Sequence, residues 1–354
     1  GFLELVFDRD TGILVDLPNP DAIRFIRQLT GMFGSLLPTL DKVDHEAGCS
    51  PVRIAAAFEH FINTDSEVAV ASVSVTDEQI RDFRRALDAT FGHILHKLDY
   101  HIYVGDLRPR HSGGATADRL RGNQKWTFPE WTERLEEIFP FLDNTLPSYS
   151  LTAHRLHGNG EGLSVRFRTP DDEIPVKVIA VPKTCAKPRI ISIEPSYMQF
   201  MQQALGSWLL NAFEKDVLAK TLIRLNDRTY NQDAARKGSL DGSLATLDLS
   251  DASDRLSWRL VSEGFASYPW LVKAMDATRS RTADVSGVQI RLNKFASMGS
   301  ALTFPIQTIV FTTIALMSVS KSHDLSVRQV FSRRAGQVRV FGDDIIVPSK
   351  DACN

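Results

Sequence analysis

Three aspartates set among apolar residues are the part of this chain that could do chemistry. Asp343 and Asp344 stand together between Val338, Val340 and Phe341 on one side and Ile345, Ile346 and Val347 on the other. The run 338–347 reads as two β-branched strands joined by a Gly342-Asp343 turn, a local and easily formed hairpin. Like charges held at its tip disfavour each other's ionisation. A divalent cation relieves that conflict, and hard oxygen ligands suit Mg²⁺. The same triplet also makes an ordinary solvated turn, so its meaning depends on what accompanies it.

Asp248 is the third. The segment 244–249 reads as a strand running into a helix, which puts Asp248 at a buried strand end, where an ionisable residue is costly without a partner. Ser250 or Ser253 can cap that helix, with Ala252, Leu256 and Leu260 on its apolar face. Asp251 and Asp254 then serve as helix-start acids. If Asp248 meets Asp343 and Asp344 on neighbouring strands, the three carboxylates can hold two Mg²⁺ ions about 4 Å apart for in-line phosphoryl transfer. One ion would lower the pKa of an attacking hydroxyl, and the other would hold a triphosphate and stabilise the leaving pyrophosphate.

Two loops could serve such a centre. The stretch 177–189 carries Lys177, Lys183, Lys187 and Arg189 and no acid, with Pro182 and Pro188 stiffening it. A rigid cationic loop suits a triphosphate, with Arg189 able to bind it bidentately. Glu194, just beyond, is expected to pair with one of these cations. The loop Ser297-Met298-Gly299-Ser300 precedes an apolar helix, and its small residues let backbone approach a ligand.

The elements that must position these residues follow from pattern. With 354 residues the chain can bury a substantial core in two or three domains. The first half is mainly helical. Asn19-Pro20 opens one helix, with Ile23, Ile26 and Leu29 facing inward. Thr76 and Gln79 form a capping box ahead of Ile80, Phe83, Leu87, Phe91 and Ile94, and Trp131, Leu135 and Ile138 mark a helix ended near Pro140. From about Val176 short β-branched runs appear, 176–179 and 190–193 among them. Helices first and mixed strands and helices afterwards indicate the α+β class.

Composition excludes several classes. A net charge of −2 means that nucleic-acid binding must come from local basic patches. Cys49, Cys185 and Cys353 lie far apart, which argues against disulfides or a zinc finger and fits a reducing compartment. The start has no basic region and no unbroken apolar run, so it is no signal peptide. It also lacks an initiator Met, and both ends read as cut. The one membrane-like stretch, 301–320, contains Pro305, Gln307 and several threonines, and reads as a buried core helix. The Gly-rich loop 108–116 reads as a linker. His93 with His96, and His154 with His157, lack the further ligands a metal site needs.

The order basic loop, strand-Asp, Gly loop-helix, Asp-Asp hairpin resembles motifs F, A, B and C of template-dependent RNA polymerases, and most closely those of the levivirus (RNA bacteriophage) replicase catalytic (beta) subunits. Val181-Pro182-Lys183-Thr184 with Lys187, Arg189 and Glu194-Pro195 looks like their motif F. Leu225-Asn226-Asp227, Asn231-Gln232 and Gly238-Ser239 look like their approach to motif A. Asp248-Leu249-Ser250 with Ala252-Ser253-Asp254 matches motif A. Met298-Gly299, Thr303-Phe304 and Gln307 match motif B, and Phe341-Gly342-Asp343-Asp344 matches motif C. The likeness is firm from about Val176 onward and thin before Arg108.

The resemblance implies a right-hand polymerase with helical fingers and an RRM-like antiparallel palm sheet. Residues 1–195 would be an N-terminal region and fingers, with motif F at 177–195. Residues 196–354 would be palm, with motifs A (244–260), B (296–312) and C (338–347) and a fingers insertion around 262–295. Motifs D and E and the thumb would lie beyond Asn354. It further implies that Asp248, Asp343 and Asp344 are catalytic metal ligands for two Mg²⁺ ions, with Mn²⁺ able to substitute. Lys183, Lys187 and Arg189 would bind the NTP triphosphate. Asp254, Ser297, Gly299 and Gln307 would complete the nucleotide site, Gln307 standing where many RNA polymerases place Asn. RNA template and product are implied ligands. Implied partners are the host elongation factors Tu and Ts and a ribosomal protein, in the cytoplasm of an infected bacterium, with no membrane.

A reverse transcriptase shares the palm and the acids, but resembles its relatives in placing a bulky aromatic five residues after the motif A aspartate. Here that residue is Ser253, which leaves room for a ribose 2′-hydroxyl. A non-catalytic RNA-binding palm is the other alternative, and the intact acids count against it.

Overall fold

The architecture, taken from a computed structural model, describes residues 21, 22, 25, 50–145, 165–183, 188–333 and 337–352. Asp21, Ala22 and Phe25 are helical. The rest of the helix expected from Asn19, the pair His154 and His157, the loop residues 184–187 and all three cysteines fall outside the described residues.

Among the described residues the helices are α1 (Pro51–Ser74), α2 (Asp77–Tyr103), α3 (Glu133–Ile138), α4 (Phe141–Thr145), α5 (Ser196–Lys215), α6 (Ala219–Leu222), α7 (Thr229–Asp241), α8 (Trp258–Gly264), α9 (Pro269–Thr278), α10 (Thr303–Ser322) and α11 (Val327–Arg333). The strands are β1 (Glu130–Thr132), β2 (Arg166–Arg168), β3 (Val176–Val181), β4 (Arg189–Ile193), β5 (Leu244–Leu247), β6 (Thr282–Val285), β7 (Val288–Arg291), β8 (Arg339–Phe341) and β9 (Asp344–Pro348). The mixed α+β composition agrees with the sequence pattern. Trp131, expected on a helix, instead lies on β1, which pairs in parallel with β2.

The chain divides into two compact units, Gly1–Glu59 with Ala180–Arg189, and His60–Ile179 with Ile190–Asn354. In the first, Lys183 and Arg189 are both exposed. The three acids, helix α10 and the sheet β5-β9-β8 belong to the second.

Local rules account for its main helices. The Thr76 hydroxyl accepts from Gln79 N–H at 3.2 Å while the Gln79 side chain accepts from Thr76 N–H at 2.9 Å, closing the capping box at the head of α2. That helix buries Ile80, Phe83, Leu87, Phe91, Ile94, Leu95 and Leu98 along one stripe, each large side chain worth about 1.5–3 kcal/mol. Phe91 meets Phe213 of α5 and Phe331 of α11. Helix α10 is apolar almost all round. It is long and apolar enough to cross a membrane by length and composition, yet 67% of its most apolar 18-residue stretch is buried inside the fold. Its threonines fit a core because their hydroxyls donate to the carbonyl four residues back: Thr308 to Phe304, Thr312 to Thr308, Thr313 to Ile309.

Two sheets matter for the site. One has the order β4-β3-β6-β7, with β6 and β7 joined by a turn whose central residues Ser286 and Gly287 are both left-handed. The other has the order β5-β9-β8 and is antiparallel throughout. Its late strand β9 is therefore central and β5 lies at an edge. The expectation of a buried strand around Asp248 is corrected here: an edge strand pairs on one side only, and β5 is half-buried at best, with Asp248 exposed.

Candidate active site

The carboxylate turn is built as the sequence indicated. Phe341 pairs with Asp344, so Gly342 and Asp343 are the two central residues. Gly342 has φ +66°, and among these two only it is left-handed, the pattern of a hairpin turn with glycine in its first central position. A Cβ at Gly342 would lie 2.7 Å from Phe304 Cε2. The Gly342 N–H donates to Thr308 Oγ1 at 3.1 Å, and the Phe304 and Phe341 rings meet at 4.9 Å. Helix α10 is thus the seat of the turn.

Antiparallel pairing of β5 with β9 sets Leu247 opposite Ile345. The next step of that register brings Asp248 to the end of the sheet where Asp344 stands. The Asp344 carboxyl is pushed above the usual carboxylate range, first by partial burial and then by the charges of Asp343 and Asp248, against the opposing pull of Arg228. The three acids thus share one electrostatic neighbourhood, all of them solvent-exposed. Among the described residues no three His, Cys, Asp or Glu side chains close into a ready-made cage. Mutually repelling carboxylates have no reason to close without a cation between them.

The segment after Asp248 departs from expectation. It forms turns rather than a helix, with Asp251 left-handed at φ +53°. Its carbonyl accepts from Asp254 N–H at 2.8 Å and Arg255 N–H at 3.0 Å. The helix begins only at Trp258, capped by Ser257, whose hydroxyl accepts from Leu260 N–H at 3.1 Å. Neither Ser250 nor Ser253 caps it. The reason is backbone competition: Leu256 O accepts from Phe295 N–H and Trp258 N–H donates to Asn293 O, so those groups are committed across to the segment 293–295 that precedes the glycine loop. His60 Nε2 of α1 lies 2.8 Å from Asp251 Oδ2, and Lys294 Nζ lies 2.9 Å from Asp254 Oδ1.

The glycine loop packs on β4. Gly299 has φ +135°, and a Cβ there would be 1.9 Å from Ser192 O, so its close approach is to strand β4. Ser192 N–H donates to Met298 O at 2.7 Å. Ser297 is buried, and its Oγ has no partner among the described residues. Gln307 is also buried with an unpartnered Oε1, and its Nε2 lies 3.4 Å from the Cβ position of Gly342. Of these two unpartnered polar atoms, that of Gln307 lies against the carboxylate turn, while Ser297 lines an interior cavity with Glu194 and Arg279.

A match to a protein family decides what this arrangement belongs to. The family model described as RNA replicase, beta-chain matches residues 42–354. The chain belongs to that family. Among relatives of this replicase chain, the RNA-directed RNA polymerase beta chain of Escherichia phage MS2 is 37% identical over 175 residues, which is 49% of this chain and 29% of that protein. The RNA-directed RNA polymerase subunit beta of Enterobacteria phage SP is 30% identical over 309 residues, 84% of this chain and 49% of that protein. The corresponding subunit of Qbeta virus (strain MX1) is 29% identical over 311 residues, 85% of this chain and 48% of that protein. The chain therefore spans about half the length of the longer-matching relatives, and less of the MS2 protein.

Several residues around the carboxylates have contacts that the sequence pattern did not specify. Arg228 stacks its guanidinium 5.2 Å from the Phe341 ring and acts on the charge of Asp344. Asn231 Nδ2 donates to the Asp344 carbonyl at 3.2 Å, a role that likeness to the approach to motif A did not specify. Lys294 is wholly buried. Glu194 corrects an expectation. Among the described residues it pairs with no cation of the 177–189 loop; it is buried, accepts from Ser280 Oγ at 2.6 Å and feels Arg279. Burial pushes its carboxyl up to about 7, opposed by hydrogen bonds from Ser280 and Gln202 and by the Arg279 charge. His93 meets Asp216 at 2.7 Å and His96 packs on Tyr268, so that pair is structural. Lys183 and Arg189 lie in the other unit, and Lys187 is outside the described residues.

Proposed function

We propose that this chain carries the catalytic centre of a levivirus RNA-directed RNA polymerase, which extends RNA on an RNA template inside the infected bacterial cell. The growing strand's 3′-hydroxyl attacks the α-phosphate of the incoming NTP; the new P–O bond forms as the bond to pyrophosphate breaks. In this reading the sheet β5-β9-β8 is the core of the palm of a right hand. Residues 1–195 form the N-terminal region and fingers, 196–354 the palm and a fingers insertion.

One observation carries the reading: the β5-β9 register brings Asp248, 95 residues upstream in sequence, to the end of the sheet that carries the adjacent Asp343 and Asp344, and the charges of Asp343 and Asp248 raise the Asp344 carboxyl. Hard, mutually repelling oxygens are a donor set suited to Mg²⁺, and Asp248, Asp343 and Asp344 would hold it. Two bound Mg²⁺ ions would supply charge stabilisation for the attacking and leaving oxygens. The remaining steps belong to the protein. Helix α10, through Thr308, keeps the turn at a fixed height beside the nucleotide. Lys183, Lys187 and Arg189 bind the triphosphate and neutralise it. Asp254, Ser297 and Gln307 read the ribose, the last two with the oxygens left unpartnered. Ser253 is small enough to admit a 2′-hydroxyl, and Gly299 keeps the loop tight against β4. The host elongation factors Tu and Ts and a ribosomal protein as partners rest on family likeness alone.

Primer extension tests this directly, using a polymerase that contains this chain, an RNA template, four NTPs and Mg²⁺. The expected result is RNA synthesis that Asp343→Asn abolishes with the fold intact by circular dichroism. Normal synthesis by the Asp343→Asn enzyme would show the assignment to be wrong.

A further inference from the structure

Lys294 has 0% of its surface exposed, although an ammonium is among the costliest groups to bury unless it is paired. Its Nζ donates to Asp254 Oδ1 at 2.9 Å and lies 3.4 Å from the centre of the Phe61 ring. Its main chain is anchored too. Lys294 N–H donates to Asp65 Oδ1 at 3.1 Å, and Asn293 donates to the same carboxylate through both its backbone N–H and its Nδ2. Asp65 is itself buried, on α1. The lysine is therefore fixed at both ends of its side chain. Burial lowers its affinity for a proton, and Asp254, Asp65 and Asp251 restore part of it.

Asp254 differs in one respect: its side chain keeps 19% of its surface exposed. Lys294 takes Oδ1, and among the described residues none donates to Oδ2. A carboxylate is thus presented to solvent with one oxygen held and the other available. An arginine here would tend to take both oxygens with its fork, whereas an ammonium is a point donor.

We propose that Lys294 is a positioning residue for ribose selection. It fixes the Asp254 carboxylate and offsets its charge, so that Oδ2 accepts from the 2′-hydroxyl of an incoming ribonucleotide without repelling the triphosphate. The inference rests on the polymerase reading above. Burial matters to it in two ways. Water is kept from competing for Nζ, and a low local dielectric strengthens the pairing. Anchoring by Asp65 and Phe61 makes α1, which lies outside the motif-bearing half of the chain, a support of the nucleotide site.

The test compares wild type, Lys294→Met, Asp254→Ala and the double variant, with ATP against dATP. Two readouts are taken, equilibrium nucleotide binding and single-nucleotide primer extension. The expected result is that Lys294→Met reduces the preference for ATP over dATP about tenfold, the scale of a charge-assisted hydrogen bond. The loss should appear mainly in KM for ATP, with dATP little changed. The double variant should discriminate no worse than Asp254→Ala, since both act on one contact. Lys294→Met that discriminates like wild type, or loses ATP and dATP equally, overturns the proposal. So does a wild-type chain that binds ATP and dATP alike. If Lys294→Met does not fold, Lys294→Gln, which keeps a neutral donor, is judged by the same ratio and expected at an intermediate preference. Failure of the polymerase reading looks different: no extension with either nucleotide, while the binding ratio still decides the role of Lys294.

Discussion

Gly342 donates its backbone N–H to Thr308 Oγ1 at 3.1 Å, which ties the turn bearing Asp343 and Asp344 to the buried helix α10 through one hydroxyl. That hydroxyl both accepts and donates, because its own proton goes to Phe304 O at 2.6 Å. The height of the carboxylates is thus fixed by a threonine that no catalytic motif would single out.

Replacing that threonine isolates the tie. Thr308→Val keeps the shape but strands the Gly342 N–H, a loss of about 1–3 kcal/mol for a buried donor. Chemical denaturation should report that loss, and primer extension should show a fall in kcat larger than any rise in KM. Thr308→Ser should restore both.

Gly299 should tolerate nothing larger than itself. At φ +135° an alanine Cβ would stand 1.9 Å from Ser192 O, a main-chain atom of β4 that cannot swing away. Strain and overpacking together put Gly299→Ala at about 3 kcal/mol or more of destabilisation. A melting temperature within a degree of wild type would contradict this.

The acids at the sheet end predict a conflict between stability and function. A carboxyl whose folded pKa is raised, as that of Asp344 is, favours the folded state below that pKa and loses this contribution as pH rises through it. Without divalent cation, the fold should lose stability from this group as it ionises. Added Mg²⁺ should raise the melting temperature more at neutral than at acid pH. Asp248→Asn removes one repelling charge, so it should stabilise the cation-free protein while abolishing the gain from Mg²⁺.

Glu194 sets a second pH dependence, far more buried. Its carboxyl stands at about 7 against an ordinary 4.5, so its contribution to folding is fully present below the ordinary value and lost as pH rises through about 7. The span corresponds to about 3 kcal/mol. Glu194→Gln should therefore be more stable than wild type at pH 8, with the difference shrinking towards pH 5. Thermal melts across that range check the sign as well as the size.

What the sequence made legible was local. The capping box at Thr76, the apolar run of α10 and the hairpin at 338–347 are each determined by residues within a few positions of one another. The misreadings share a different cause. Ser250 and Ser253 satisfy the rule for a helix cap, but the backbone around Leu256 is claimed by Asn293 and Phe295. Glu194 follows a cationic loop, yet its partners Ser280 and Gln202 come from elsewhere in the fold. Lys294, flanked by Asn293 and Phe295, reads as any surface lysine until Asp254 and Phe61 are brought to it. Likeness to a family supplied the order of the motifs. It could not supply the contacts that hold them, because those join segments such as α1 and the 248–257 turn across most of the chain.

The central place of β9 also governs when the site can come into being. During synthesis β5 leaves the ribosome long before β9, and it has no sheet partner among the described strands except β9. Non-local pairing of this kind is slow. Until β9 docks, Asp248 lacks Asp344 as a neighbour. The three acids therefore cannot meet until the last strand of this sheet has formed. Limited proteolysis of stalled nascent chains should show the segment 244–247 protected only once β9 has emerged.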